Sequence, residues 1–151
     1  MSQLIEFEDT SSFLLAKVGT AFRNSLERFM APLGLHAGQV FVLIELWRSD
    51  GMRQIDLAER LDVAAPTVNK TIKGMIELGL VKITRLVDDA RSTRIFLTDR
   101  GRSIRPEIEG QWLELEEDCL SSLTETERLV LFDLIGKLRN KYTGRLDTED
   151  D

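Results

Sequence analysis

The chain has 151 residues, 42% of them hydrophobic and 30% charged, with a formal net charge of −6. A chain this long buries about 70% of the surface its unfolded form exposes, so its fold needs neither a metal nor a disulfide staple. No run of about 18 apolar residues is present, Cys119 stands alone, and "MSQLIEFEDTSS" lacks the basic start and apolar centre of a signal peptide, so the expectation is a one-domain cytoplasmic protein with no membrane partner.

The first predicted element is a helix over 12–31, with Leu15, Val18, Phe22, Leu26, Phe29 and Met30 on one stripe. Thr10, Ser11 and Ser12 offer N-caps, and Pro32 with Gly34 ends the helix. Next, "HAGQVFVLIELWRSDG" places Val40, Phe41, Leu43, Ile44 and Trp47 in a strongly apolar helix stopped by Asp50-Gly51; such a helix is expected at the centre of the core. A short helix over 53–61 uses Ile55, Leu57, Ala58 and Leu61 as its apolar face. A second, over 65–78, uses Val68, Ile72, Met75 and Ile76.

Helical spacing then gives way to strand-like sequence. "LVKITRLV" alternates Val81 and Ile83 with Lys82 and Thr84, "TRIFLT" is rich in β-formers, and "DDARS" between them reads as the polar tip of a hairpin. Thr98 is a candidate N-cap for a long helix to about residue 121, and Pro106 inside it predicts a kink or an irregular turn. Thr124-Glu125-Thr126-Glu127 is a capping box that opens a last helix on Leu131, Phe132, Ile135 and Leu138, ending near Tyr142-Gly144. The acidic tail, 144–151, is expected to be disordered.

Two short helices joined by a tight turn and followed by a hairpin make a winged helix-turn-helix, so the fold class expected is mainly α with a small β wing. Asp62 occupies the place where such a turn goes left-handed, and Asp is among the few non-glycine residues that tolerate that region. With Val68, Ile72, Met75 and Ile76 turned inward, Thr67, Asn69, Lys70 and Lys73 remain outside. Thr and Asn can read base edges, and Lys can meet phosphate or guanine.

The net charge of −6 argues against a polyanionic partner only if taken whole. Residues 1–65 carry a net −3, residues 66–105 a net +5, and residues 106–151 a net −8. A bound polyanion senses the field within a Debye length, about 8 Å in physiological salt, so the basic central block is what counts.

The same stretches resemble the multiple-antibiotic-resistance regulator (MarR) family. The matching residues are "GLHAGQ" at 34–39 with the "LW" and "DG" that follow, "LAERLDVAAPTVNKTIKGMIELGLV" at 57–81, and "VDDARSTRIFLTDRGR" at 87–102. The resemblance implies one unit in which helices at 10–33 and 106–143 dimerise and residues 35–100 form the DNA-binding lobe. It implies a homodimeric regulator, a repressor by expectation, that binds a pseudo-palindromic stretch of double-stranded DNA. Pro66, Thr67, Asn69, Lys70 and Lys73 correspond to the major-groove face. Arg91 corresponds to the wing-tip arginine of the minor groove, Asp89 to the carboxylate that orients it, and Arg94 to a second backbone contact or a partner of Asp88 or Asp89. Ala90 stands where the family often has another arginine, and Ala64 and Ala65 offer no cap where Ser, Thr or Asp is usual.

The resemblance also implies a pocket between the dimer helices and the winged lobe, to which Phe22, Leu26, His36, Phe41 and Ile108 could contribute. An apolar cleft with one titratable group suits a small aromatic acid or phenol. Against this, His36 reads as a helix-start residue and the others as core. Cys119 reads as buried or on the dimer face, and Trp47 and Trp112 as core or interface. No dedicated metal-ligand set, phosphate loop, dinucleotide fingerprint or nucleophile elbow appears, so the expectation is no cofactor, no metal and no enzyme activity. The competing reading is a winged helix that contacts protein rather than DNA.

Overall fold

The computed structural model describes residues 4–85 and 93–143. After a 3-10 turn (Phe7–Asp9) come α1 (Ser11–Met30), a 3-10 turn (Ala31–Leu33), α2 (Ala37–Arg48), β1 (Met52–Arg53), α3 (Gln54–Leu61), α4 (Ala65–Glu77), β2 (Val81–Arg85), β3 (Thr93–Leu97), α5 (Asp99–Ser103), α6 (Arg105–Leu120) and α7 (Glu125–Thr143). The chain divides into two compact units, one ending at Leu115 and the other beginning at Glu116.

In the first unit, the Thr10 hydroxyl accepts from the Phe13 N–H and starts α1, as the sequence predicts. Pro32 and the left-handed Gly34 (φ 75°) end that segment. Helix α2 is the centre of the core: Ala37, Val40, Val42, Leu43 and Leu46 are all buried. Its N-terminal donors are met from two directions. Glu27 of α1 accepts from the Ala37 N–H (2.9 Å), and Gln39 accepts from the His36 N–H (2.9 Å). Polar groups thereby anchor α1 to α2 where two orphan N–H groups would otherwise lose water.

Helices α3 and α4 are joined through Asp62, at φ 52° and ψ 47°, the one non-glycine residue with positive φ among those described. Leu57 and Ala58 of α3 and Val68, Ile72 and Met75 of α4 are buried. Two predicted core positions are not. Ile55, 62% exposed, lies in the first turn of an eight-residue helix, and Ile76 lies beyond the edge of the buried 68–72–75 row. Ile44 of α2 is exposed as well.

The wing is a three-stranded antiparallel sheet in the order β1-β3-β2. Val81 opposes Leu97, Ile83 opposes Ile95, and Arg85 opposes Thr93, which is the hairpin expected. The third strand is a correction, since the sequence reading gave Arg53 to the following helix. Met52 and Arg53 instead pair with Ile95 and Arg94. Two residues are too few to show a period of two.

The expected long helix is interrupted. Thr98 caps α5 by accepting from the Gly101 N–H (3.1 Å), Ile104 ends it, and Pro106 sits in the first turn of α6, where its missing N–H costs nothing. Ile108 and Leu115 carry α6 into the core.

The second unit holds the end of α6 and all described residues of α7. The capping box forms as predicted: the Thr124 N–H donates to Glu127 (3.0 Å) and the Glu127 N–H to the Thr124 hydroxyl (3.2 Å). Arg128 pairs with Glu117 at 2.7 Å. Helix α7 has no buried residue; Leu129, Phe132, Ile135 and Leu138 are all exposed. Cys119, expected buried or at a subunit face, is exposed. The acidic tail at 144–151 lies outside the described residues. No single described helix is long and apolar enough to cross a membrane.

Candidate nucleic-acid interface

The outward face of α4 carries the residues the sequence singled out. Pro66, Thr67, Asn69, Lys70 and Lys73 are exposed, while Val68, Ile72 and Met75 on the opposite face are buried. No ion pair to a described residue occupies either lysine. The α4 N-terminus has Ala64 at the cap position with no side-chain bond, as its sequence implies. Asn69 is not isolated: Gln54, the first residue of α3, donates from its side-chain amide to the Asn69 side-chain oxygen. Arg53 grips Asp56 through two bonds (2.8 and 2.9 Å) and fixes the first turn of α3.

The base of the wing is held by a bonded cluster that sequence reasoning missed. The Asp50 carboxylate accepts from the Gly51 N–H (3.0 Å) and from the Leu97 N–H (2.9 Å), tying the end of α2 to β3. Arg94 donates to the Gly51 carbonyl at 2.9 Å. Its guanidinium is therefore partly committed to bracing the hairpin, where the resemblance implied a DNA contact or a partner for Asp88 or Asp89. Asp89 and Arg91 lie outside the described residues, as does the rest of 86–92.

At the other end of the sheet the Thr98 hydroxyl donates to the Gly79 carbonyl (2.6 Å), and Trp47 donates from its indole to the Gly101 carbonyl (2.9 Å). Gly101 lies so close to β2 that a Cβ there would stand 2.1 Å from the Leu80 carbonyl oxygen. The signals for this cluster were short: "DG" read as a helix stop, and "LTDRG" lay unremarked inside the stretch at 87–102 that carries the family resemblance. Neither says which strand the Asp or the Gly will meet.

Of the five candidate ligand residues, Ile108 lines the cleft described below. Leu26 and Ile108 are fully buried in the core. Phe22 and Phe41 approach Trp112 edge-on, at 6.0 and 6.3 Å between ring centres. The His36 side chain is 80% exposed, with Nδ1 3.3 Å from Glu27. A cleft of about 430 Å³ does lie close by, lined by Ile44, Trp47, Arg48, Arg105, Glu109 and Trp112, and it shares Ile108 with the predicted set. Arg105 stacks over the Trp47 ring at 5.3 Å and pairs with Glu109 at 2.6 Å. Among the described residues no cluster of three or more His, Cys, Asp or Glu could hold a metal ion.

The MarR family model matches residues 35–93. YwoH, an uncharacterized HTH-type transcriptional regulator of Bacillus subtilis (strain 168), is 32% identical over 99 residues, covering 66% of this chain and 72% of YwoH. The HTH-type transcriptional repressor Rv2887 of Mycobacterium tuberculosis is 26% identical over 126 residues, covering 83% of this chain and 91% of the repressor. Its structure with salicylic acid gives a TM-score of 0.71 at 26% identity over 85% of this chain and 96% of that one. Its complex with DNA gives 0.73 at 24% identity over 85% and 97%. A crystal structure of MarR gives 0.80 at 25% identity over 86% and 95%. The model match spans the helix-turn-helix and most of the wing, the likeness to YwoH runs well beyond it, and the chain belongs to the MarR family of transcriptional regulators.

Proposed function

We propose that the chain is a sequence-specific DNA-binding repressor that acts as a homodimer on a pseudo-palindromic operator. The observation that carries this reading is the division of α4. One face is spent on the core, and the other presents Pro66, Thr67, Asn69, Lys70 and Lys73 to solvent within a stretch of net charge +5. In this motif the N-terminal part of the second helix meets base edges, while lysines and the wing meet the backbone. Arg91 is the residue assigned to the minor groove, with Asp89 to orient it. Arg94 acts mainly by holding the wing. The DNA complex and the repressor name of Rv2887 support both the partner and the sign of regulation.

Two sets of exposed apolar residues support the dimer. Leu14, Leu15 and Val18 crowd the first half of α1, and Leu129, Phe132, Ile135 and Leu138 run along α7. A monomer leaves both in water; a two-fold partner buries them. The arrangement proposed is dimerisation through 10–33 and 106–143, with 35–100 as the DNA-binding lobe.

A small aromatic acid that relieves binding is the remaining part of the reading. The cleft between Trp47, Ile108 and Trp112 has apolar walls and two arginines at its edge, which suits an aromatic carboxylate. The structure of Rv2887 with salicylic acid favours that class. His36 is exposed, with Nδ1 3.3 Å from Glu27, and does not line this cleft.

The test is fluorescence anisotropy with the chain's own upstream DNA against a scrambled duplex, across a salt series and with or without salicylate. Sequence preference and a steep fall of affinity with salt are expected. Equal, salt-insensitive binding to both duplexes would favour a winged helix that contacts protein.

A further inference from the structure

We propose that Arg23, on the helix assigned above to dimerisation, is a DNA-backbone contact: it and Thr71 flank a notch, floored by Gly38, that seats one phosphate of the strand bordering the groove α4 enters. The proposal rests on the DNA-binding reading above and adds a contact from outside the helix-turn-helix and the wing.

The notch lies where three helices meet. Gly38 stands in the first turn of α2 and is half-buried. A Cβ built there would lie 3.9 Å from a guanidinium nitrogen of Arg23, on α1, and 3.8 Å from the Thr71 hydroxyl, on α4. The absent side chain therefore leaves a space with a cation on one side and a hydroxyl on the other. The Arg23 guanidinium is held in place over the Phe41 ring, 5.6 Å from its centre. It is exposed, and it makes no ion pair with a described residue. Glu27, one turn further along the same side of α1, accepts from the Ala37 N–H and lies 3.3 Å from the His36 Nδ1. The first N–H of α2 is thus satisfied already, and the anion seat is made by side chains. The other cations of α1 are placed elsewhere: Lys17 lies over Phe13, and Arg28 donates to Ser25.

The notch sits at the edge of the face that reads DNA. Thr71 follows Thr67 by one turn, and its hydroxyl donates to the Thr67 carbonyl (3.0 Å). An α-helix with its side chains is about 10–12 Å across, and the major groove is about 12 Å wide. A recognition helix therefore fills the groove, and whatever flanks it meets the sugar-phosphate wall. On the Thr67–Thr71 edge the flanking cation is Arg23. A guanidinium stays charged and presents a fork of N–H donors that matches phosphate oxygens.

The experiment compares wild type, Arg23→Gln, Arg23→Lys, Gly38→Ala and Arg28→Gln by anisotropy on the upstream operator and its single-base-pair variants, across a salt series. Urea unfolding and sedimentation of each free protein separate lost binding from lost structure. Arg23→Gln should weaken binding about ten-fold and reduce the slope of log affinity against log salt by about 1 for each half-site. The order of the operator variants should not change. Arg23→Lys keeps the charge but not the fork, so the slope should stay and part of the affinity should go. Gly38→Ala should fold at least as stably, because its methyl makes ordinary contacts at 3.8 and 3.9 Å. It should nonetheless bind several-fold more weakly, because that methyl stands in the phosphate's seat. Arg28→Gln removes the same charge from the same helix, about 140° round from Arg23, and should leave the slope unchanged.

A steep wild-type slope that Arg23→Gln leaves untouched overturns the contact while the DNA-binding reading stands. A slope lowered just as much by Arg28→Gln also overturns it, because the effect would come from the general field of the protein. A Gly38→Ala protein that binds as well as the wild type overturns the notch as the seat. A changed order of operator variants in Arg23→Gln would put the side chain on a base and refute the backbone assignment. If the wild type binds neither the operator nor its variants, the DNA-reading function itself fails and takes this proposal with it. A slope lost with Arg23→Gln but kept with Arg23→Lys and Arg28→Gln, together with weak binding by a stable Gly38→Ala protein, establishes it.

Discussion

Gly101→Ala should be strongly destabilising although it places a better helix former in a helix. The ideal Cβ at this position would lie 2.1 Å from the Leu80 carbonyl oxygen and 3.2 Å from the Leu97 side chain. The oxygen cannot give way cheaply, because it is backbone and accepts from the Thr98 N–H at 3.0 Å. Relief requires α5 to move off β2 by about an ångström, at a cost of the order of 1–3 kcal/mol for overpacking. That motion also strains the Trp47 bond to the Gly101 carbonyl and the Thr98 cap on its N–H, each worth about 0.5–1.5 kcal/mol. The gain from Gly to Ala in a helix is about 0.5–1 kcal/mol. The net expectation is a loss of about 1–5 kcal/mol. Gly110→Ala, in α6 with nothing within 4 Å of its Cβ, supplies the contrast and should be neutral or stabilising. Urea unfolding followed by circular dichroism, at one fixed protein concentration, measures both. A Gly101→Ala protein as stable as the wild type would refute the close packing of α5 on the wing. The same measurement bears on function, since a displaced α5 would shift the wing against α4 and weaken DNA binding in the variant that still folds.

Lys70→Ala and Lys73→Ala should each weaken binding to all sequences alike and reduce the slope of log affinity against log salt by about 1, whereas Thr67→Ala should change which sequence is preferred; a Lys variant with an unchanged slope would remove that lysine from the backbone contacts. Phe132, 84% exposed on α7, should be buried by a second copy, so Phe132→Glu should convert a dimer to a monomer in sedimentation at micromolar concentration; a wild-type monomer would refute the interface. Glu127 supplies a pH dependence: acceptance from the Thr124 N–H, and then from its hydroxyl, holds the carboxyl below its ordinary 4.5. A lowered folded-state value means that the ionised cap stabilises fully above about pH 4.5 and is lost as the pH falls through the lower value. The stability difference between wild type and Glu127→Gln should therefore be present at neutral pH and shrink as the solution is acidified below 4.5; a difference independent of pH would show that the charge plays no part.

Much of the lobe was legible because its signals are local. Asp62 announced a left-handed turn and Thr124 and Glu127 announced a cap, and both formed as read; the spacing of Val68, Ile72 and Met75 announced which side of α4 faces inward, although Ile76, read with them, is exposed. What escaped notice depends on partners distant in sequence. Asp50 was read as a helix stop, but its carboxylate meets the Leu97 N–H 47 residues away, and no spacing rule links the two. β1 is two residues long and exists because β3 passes beside it. Arg94 looked like a contact for DNA or for a wing aspartate, yet the same guanidinium reaches the Gly51 carbonyl across the sheet.

The apolar stripes of α1 and α7 raise the same problem at a larger scale. Periodicity reports that Leu15, Val18, Phe132 and Ile135 want to leave water, but not whether the cover comes from the same chain. Leu26 and Met30, at the end of the same α1 stripe, are fully buried within the protomer, while Leu15 and Val18 are not. A stripe that begins exposed and ends in the core is therefore most economically finished by a second copy, and in the dimer proposed above these helices would set the spacing between two α4 faces. Dimer stability and operator spacing are then one property: substitutions that loosen α1 or α7 should lower affinity for a two-half-site operator far more than affinity for an isolated half-site. Equal losses on both duplexes would mean that each lobe binds alone.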